Sequence, residues 1–137
     1  MSMRLIIDAN IVISMLIKQG KPIQLLLIGE LELFAPELLF EEIEQNKKEI
    51  LRKSEFTEEE IEVVIAFFRS RISVISEEEF CQFREQAGKI CPDSKDISYF
   101  ALALNQRCGL WTNEKRLKEQ TEILVYSTHE LIAMFLG

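Results

Sequence analysis

The 137-residue sequence is short of the residues that punctuate or cross-link irregular chains, with 5 Gly, 3 Pro and 3 Cys. So little Gly and Pro excludes collagen-like and low-complexity readings, and a content of 47% hydrophobic and 28% charged residues is a globular balance that excludes disorder. Cys81, Cys91 and Cys108 are odd in number and lack Cys-x-x-Cys or Cys/His spacing. That argues against a disulfide framework and a zinc site, and makes the cytoplasm the simplest compartment. Long apolar runs are missing too. The stretch from Leu5 to Ile17 is interrupted by Asp8 and Asn10, no small-residue cleavage site follows, and it is too short to span a bilayer, so neither a signal peptide nor a membrane anchor is expected. Positive charge is scarce: 16 Lys+Arg against 23 Asp+Glu give a net charge of -7. This argues against holding nucleic acid by broad phosphate neutralisation. An acidic site that collects divalent cations produces the same balance, so a nucleic-acid enzyme stays open. No Gly-rich phosphate loop, nucleophile elbow or Cys–His pairing is present.

The length suits one domain over residues 1–137. Arg4–Ile7 is a brief apolar run ending at Asp8, as expected of a buried parallel strand. Ile11 to Lys18 and Pro22 to Ile28 read as short helices, and Leu33 to Ala35 as a second strand. Pro36 is placed in the first turn of a helix running to about Lys53. Thr57 to Glu60 and Ser76 to Glu79 both have capping-box spacing and are expected to start helices, with Ile72 to Ile75 a third strand between them. The long helices between Pro36 and Ser70 read as a projecting hairpin. Ser94 to Gln106 is helical, and Leu110 to Thr112 and Ile123 to Tyr126 are the last strands, each followed by a helix. Alternating strands and helices predict an α/β fold with a parallel sheet covered on both faces, in which ligands gather at the carboxyl ends of strands where the strand order reverses.

Acidic residues fall where such a sheet would present them. Asp8 ends the first strand, where it serves either as a helix cap or as a group at the mouth of the sheet. Taking about 100° per residue from Leu39, Ile43 and Ile50 share its face, Glu42 lies about 60° off on the border, and Glu41 points nearly opposite. Asp93 and Asp96 flank a helix start, as an acidic capping pair or as two inward carboxylates, with Asp96 favoured for the inward role because it adjoins the Phe100 face. In Leu110 to Glu114, Asn113 and Glu114 are again either cap and first-turn acid or part of a site. Oxygen ligands from separate elements suit Mg²⁺ or Mn²⁺, and carboxylates crowded without a cation would repel one another. His129, the only histidine, reads as an exposed first-turn residue, and Trp111, Phe67, Phe68 and Phe100 as core. Lys115, Arg116 and Lys118 stand near the acidic mouth, where a solvated helical face explains them equally well.

The segments LIIDANIVIS, PELLFEEIEQ, CPDSKDISYFALAL and GLWTNEKRL together resemble the PIN-domain family of metal-dependent nucleases, and their order runs through nearly the whole chain. The resemblance implies a three-layer α/β/α fold with a parallel four- or five-stranded sheet in the order 3-2-1-4-5. It also implies an acidic site that binds Mg²⁺ or Mn²⁺ and hydrolyses RNA. The family's acids fall on Asp8, Glu42 and Asp96, the last followed by Ala101 and Ala103 at the family's small-residue spacing. Asp93 matches the extra acid of a subgroup with an Asp-x-x-Asp signature, and Asn10 and Thr112 stand where the family often has small polar residues. Thr112-Asn113-Glu114 departs from the usual Thr/Ser-Asn-Asp, because its acid is one methylene longer. On this resemblance Asp8, Glu42, Asp96 and Glu114 are the expected catalytic set, with Asp8, Asp93, Asp96 and Glu114 as metal ligands and Asn10, Thr112 and Asn113 in support. The family includes VapC-like toxins paired with an antitoxin and also degenerate scaffolds. The two expectations are therefore a toxin endoribonuclease, and a catalytically weak scaffold that acts by binding a protein partner. The apolar stretch Leu131 to Leu136 is either buried in its own core or packed in a homodimer.

Overall fold

A computed structural model describes residues 2–137. Its centre is β1 (Met3–Ile7), in which Leu5, Ile6 and Ile7 are all fully buried, the fate of a strand covered on both faces. From there the chain runs through α1 (Ala9–Ile17), a 3-10 turn at Lys21–Ile23 and the one-turn α2 (Gln24–Leu27) into β2 (Leu31–Pro36). Next come α3 (Leu38–Gln45), α4 (Lys47–Lys53), α5 (Glu58–Arg71) and β3 (Ile72–Ile75). After α6 (Glu77–Phe80), α7 (Arg84–Ile90) and α8 (Ile97–Gln106), β4 (Gly109–Trp111), β5 (Val125–Tyr126) and α9 (Thr128–Phe135) complete the chain. The five strands are parallel and lie in the order β3-β2-β1-β4-β5, with helices around them, as the resemblance implied.

Local chemistry explains most boundaries, including several that differ from the sequence expectation. Pro36 closes β2 instead of opening a helix. The β1 ladder ends at Phe34, so the missing Pro36 N–H is needed by no β1 partner. The expected single helix from Pro36 to Lys53 is two, broken at Asn46, whose backbone leaves the helical region while its side-chain amide donates to the Glu42 carbonyl. Thr57 and Glu60 form the expected capping box of α5. Ser76 does not cap α6 through its side chain, and that helix is a single turn. The segment after β4 is a 3-10 turn, Lys115–Glu119, not a helix, and β5 is only two residues long, a short edge strand that offers little to pair with. A capping box that the sequence reading passed over, Ser127 with Glu130, starts α9.

The helices from Leu38 to Arg71 do not project freely. Ile50 of α4 and Ile61, Ile65 and Phe68 of α5 are buried, and both helices pack back on α1. Trp111, Phe68 and Phe100 are core as expected, with Phe67 partly buried beside them. At Gly109 a Cβ would come within 2.9 Å of the Leu124 carbonyl oxygen, the acceptor of the Leu110 N–H, so the seam between β4 and the approach to β5 has no room for a side chain there. Among the described residues no helix is long and apolar enough to cross a membrane.

Candidate functional site

The chain starts β2 on one side of β1 and returns to β4 on the other, so the strand order reverses between β1 and β4. Ile7 pairs with Trp111 at the carboxyl ends of these strands, and the next residues, Asp8 and Thr112, therefore emerge side by side at the switch point. Both are almost fully buried. The Thr112 hydroxyl donates to Asp8 Oδ2 at 2.8 Å, and Asp8 Oδ1 accepts from the Asn10 N–H at 3.2 Å. The two roles left open for Asp8 thus coincide, since it caps α1 and also stands at the mouth of the sheet. Thr112 Oγ1 in turn accepts from the Glu114 N–H, which ties the following loop to the same point.

The helical phase read from the sequence holds. On α3, Leu39 and Ile43 are fully buried, Glu42 is half-buried and Glu41 is exposed. Glu42 is held from a third element: the Tyr99 hydroxyl on α8 donates to its Oε1 at 3.0 Å. Tyr99 was not among the sequence candidates. The available signal was a polar-tipped aromatic in the otherwise apolar run Tyr99–Leu104, since a buried tyrosine hydroxyl needs a partner.

Asp93 and Asp96 divide their work. Asp93 caps the 3-10 turn Ser94–Asp96 by accepting from the Lys95 N–H, and lies 3.8 Å from Arg116, whose guanidinium also donates to the Pro92 carbonyl. Asp96 ends that turn, is half-buried, and makes no side-chain capping bond to α8. Glu114 is exposed and reaches back toward the Arg116 N–H of its own turn, and the Asn113 side chain accepts from Thr128 N–H at the start of α9. Asn10 is exposed and contributes its backbone N–H.

Electrostatics links these groups. Burial pushes the Asp96 carboxyl up to about 6, and the charges of Asp8, Asp93, Glu114 and Glu42 each push the same way. Asp8 is raised by burial, opposed by the Thr112 and Asn10 hydrogen bonds, with the Glu114 charge adding to the rise. Glu42 is raised by burial, opposed by Tyr99, with the Asp8 charge adding. Five carboxylates, Asp8, Glu42, Glu114 and the Asp93–Asp96 pair of one turn, therefore share one region. The ion pair that meets this group runs from Arg116 to Asp93, at its edge. Among the described residues no three acidic, histidine or cysteine side chains stand close enough together to hold a metal ion as they are positioned. The donors are nevertheless all hard oxygens, the kind a divalent cation takes, and an ion among them would relieve the mutual repulsion that adds to burial in raising these carboxyls. A small cavity of about 210 Å³ opens beside Asp8, Asn10, Thr112 and Glu114.

The parallel sheet with carboxylates gathered at its switch point is the arrangement the resemblance implied, and the family comparison agrees. The chain belongs to the PIN-domain family, whose profile matches residues 6–126. Members of that family are generally nucleases that use divalent metal ions. Among solved structures the chain is similar to one in the crystal structure of VapBC2 from Rickettsia felis bound to a DNA fragment from their promoter, with a TM-score of 0.65 and 16% identity over 91% of this chain and 98% of that one. No curated protein matches it in sequence.

Proposed function

We propose that this PIN domain is an Mg²⁺- or Mn²⁺-dependent endoribonuclease and the toxin of a toxin–antitoxin pair. The observation that carries the reading is the set Asp8, Glu42 and Asp96, delivered from the end of β1, from α3 and from the start of α8, each with its carboxyl raised by burial and by the charge of another acid in the group. Asp8, Asp93, Asp96 and Glu114 would hold the ion or ions, with Glu42 facing the same region. When bound, the ion supplies Lewis-acid chemistry, making a water acidic enough to attack phosphorus and offsetting charge on the phosphate.

This chain's own residues fix the geometry around that chemistry. Thr112 and the Asn10 N–H hold Asp8 in one orientation, and Tyr99 holds Glu42. Glu42 would serve as the base that accepts a proton from the attacking water, a role supported by its half-burial and its raised affinity for protons. Arg116 pins the Pro92–Asp93 entry to α8 against the Glu114 loop. The antitoxin proposal draws on the likeness to the VapBC2 structure. Assembly as a homodimer belongs to the same proposal: on α9 Leu131 is buried while Met134 is 52% exposed, and Leu27 on the adjoining α2 is 61% exposed. Light scattering that finds 16.0 kDa particles across the micromolar range would remove the dimer.

Single-turnover cleavage of a labelled RNA with Mn²⁺ tests the activity. Wild type should cleave, while chelated wild type, Asp8→Asn and Asp96→Asn should not; equal rates in all four would point to a contaminating nuclease. A scaffold reading is favoured by a different observation, the exposed Glu114 engaged with its own turn together with the open ligand set. Calorimetry separates the two, because a scaffold would take up no Mn²⁺ at millimolar concentration.

A further inference from the structure

A second cavity, of about 620 Å³, lies between the Lys115–Glu119 turn and the start of α9. Its wall includes Thr112, Asn113 and Glu114, the three residues that also line the small acidic cavity beside Asp8, so the two spaces are neighbours across one short loop. The rest of its lining is mixed: Lys115, Lys118, Ser127, His129 and Glu130. Lys118 pairs with Glu130, which is itself fixed in the Ser127 capping box. Among the described residues Lys115 and His129 have no ion pair or side-chain hydrogen bond, and both are exposed. The Thr128 N–H at the helix start is already taken by Asn113 and Glu130 is paired with Lys118, so what the cavity offers an anionic ligand is the Lys115 ammonium and the His129 imidazole, with the Glu114 carboxylate on the side of the acidic site.

We propose that this cavity receives the nucleotide adjacent to the scissile phosphate, with its own phosphate against Lys115 and its base against the His129 ring. The inference rests on the ribonuclease reading of the acidic site and extends it. An acidic centre in a chain of net charge -7 repels RNA on both sides of the ion, and a flanking cation is what keeps the neighbouring phosphate in place. An imidazole beside it supplies the flat surface on which an unpaired base stacks, the usual mode of single-stranded RNA recognition. The volume is within the range of sites that bury a small ligand.

Two measurements test it. His129 is the only imidazole in the chain, so its ring protons give unique NMR signals, and adenosine 5′-monophosphate is a probe with base and phosphate but no bond to cleave. Saturable movement of those signals, weakened about fivefold or more by Lys115→Ala, is the expected result. In steady-state RNA cleavage, Lys115→Ala and His129→Ala should each raise KM about 5–20-fold with a much smaller change in kcat, while Lys89→Ala, on α7, should match wild type. Protein that cleaves RNA yet shows no movement of the His129 signals, with KM within twofold in both variants, overturns the subsite and leaves the ribonuclease standing. Movement of the signals in a protein that cleaves no RNA supports a nucleotide site and overturns the parent reading instead.

Discussion

The Tyr99 hydroxyl donates to Glu42 Oε1 at 3.0 Å, joining α8 to α3 across 57 residues of sequence. Burial and the facing Glu42 and Asp8 charges raise this phenol far above its ordinary range, so it stays protonated and can act only as a donor to the carboxylate. It orients Glu42 and lowers the proton affinity that burial would otherwise raise further.

Tyr99→Phe should therefore keep the fold, at a cost of about 0.5–1.5 kcal/mol for one hydrogen bond. The pH–rate profile of RNA cleavage should shift its acidic limb upward, because Glu42 loses a partner that favours its charged form. An unmoved limb would show that Tyr99 serves packing alone.

Thr112→Val removes a hydroxyl that donates to buried Asp8 and accepts from the Glu114 N–H. Two groups lose a partner while volume is nearly conserved, so a urea melt should show a loss of about 1–3 kcal/mol. Mn²⁺ affinity should fall as well. A stability change within 0.5 kcal/mol would contradict the placement of Thr112 as the clamp on Asp8.

Metal-free stability should depend on pH in an unusual direction. Asp96 is raised to about 6, and Asp8 and Glu42 are raised too, so the folded state binds protons more tightly than the unfolded chain. The penalty is complete above about pH 6 and gone below the ordinary carboxylate range, and chelated protein should gain stability as pH falls from 7 toward 5. For Asp96, half exposed and screened, the gain is roughly 1–2 kcal/mol. Glu49 and Glu130 are held at about 2 by Arg52 and Lys118 and oppose the trend only at lower pH. With saturating Mn²⁺ the gain should vanish, since protons then compete with the ion. Thermal melts at pH 7 and pH 5, with and without chelator, decide it.

Gly109→Ala tests the β4 seam independently of the site. The added methyl meets the Leu124 carbonyl at 2.9 Å and the Tyr126 ring at 3.0 Å, so the edge must move. A loss of about 1–3 kcal/mol by denaturant melt is expected, and a neutral result would mean that the edge is looser than the packing indicates.

Much of this arrangement was legible in the sequence because it rests on short-range rules. The apolar run before Asp8 marked the central strand, and the angle between Leu39 and Glu42 separated that acid from Glu41. Positions decided by long-range partners were not legible. Pro36 ends β2 because of where the β1 ladder stops, and Tyr99 finds Glu42 through the fold alone; the break at Asn46 is local, its amide returning to the Glu42 carbonyl, and was hidden by a periodicity that continues through it. Asp8 could not be sorted into cap or site because both descriptions apply.

The most direct test of the central claim compares Glu42→Gln with Glu41→Gln, reading RNA cleavage with Mn²⁺ and melting temperature with chelator in the same preparations. Glu42 is half-buried, held by Tyr99 and coupled to Asp8, whereas Glu41 is exposed one residue away. Glu42→Gln should abolish cleavage while leaving the fold intact, with metal-free stability equal to or above wild type as one repelling charge is lost. Glu41→Gln should keep both activity and stability, the latter within about 0.5 kcal/mol. Loss of cleavage in Glu41→Gln with retention in Glu42→Gln would contradict the account at its centre.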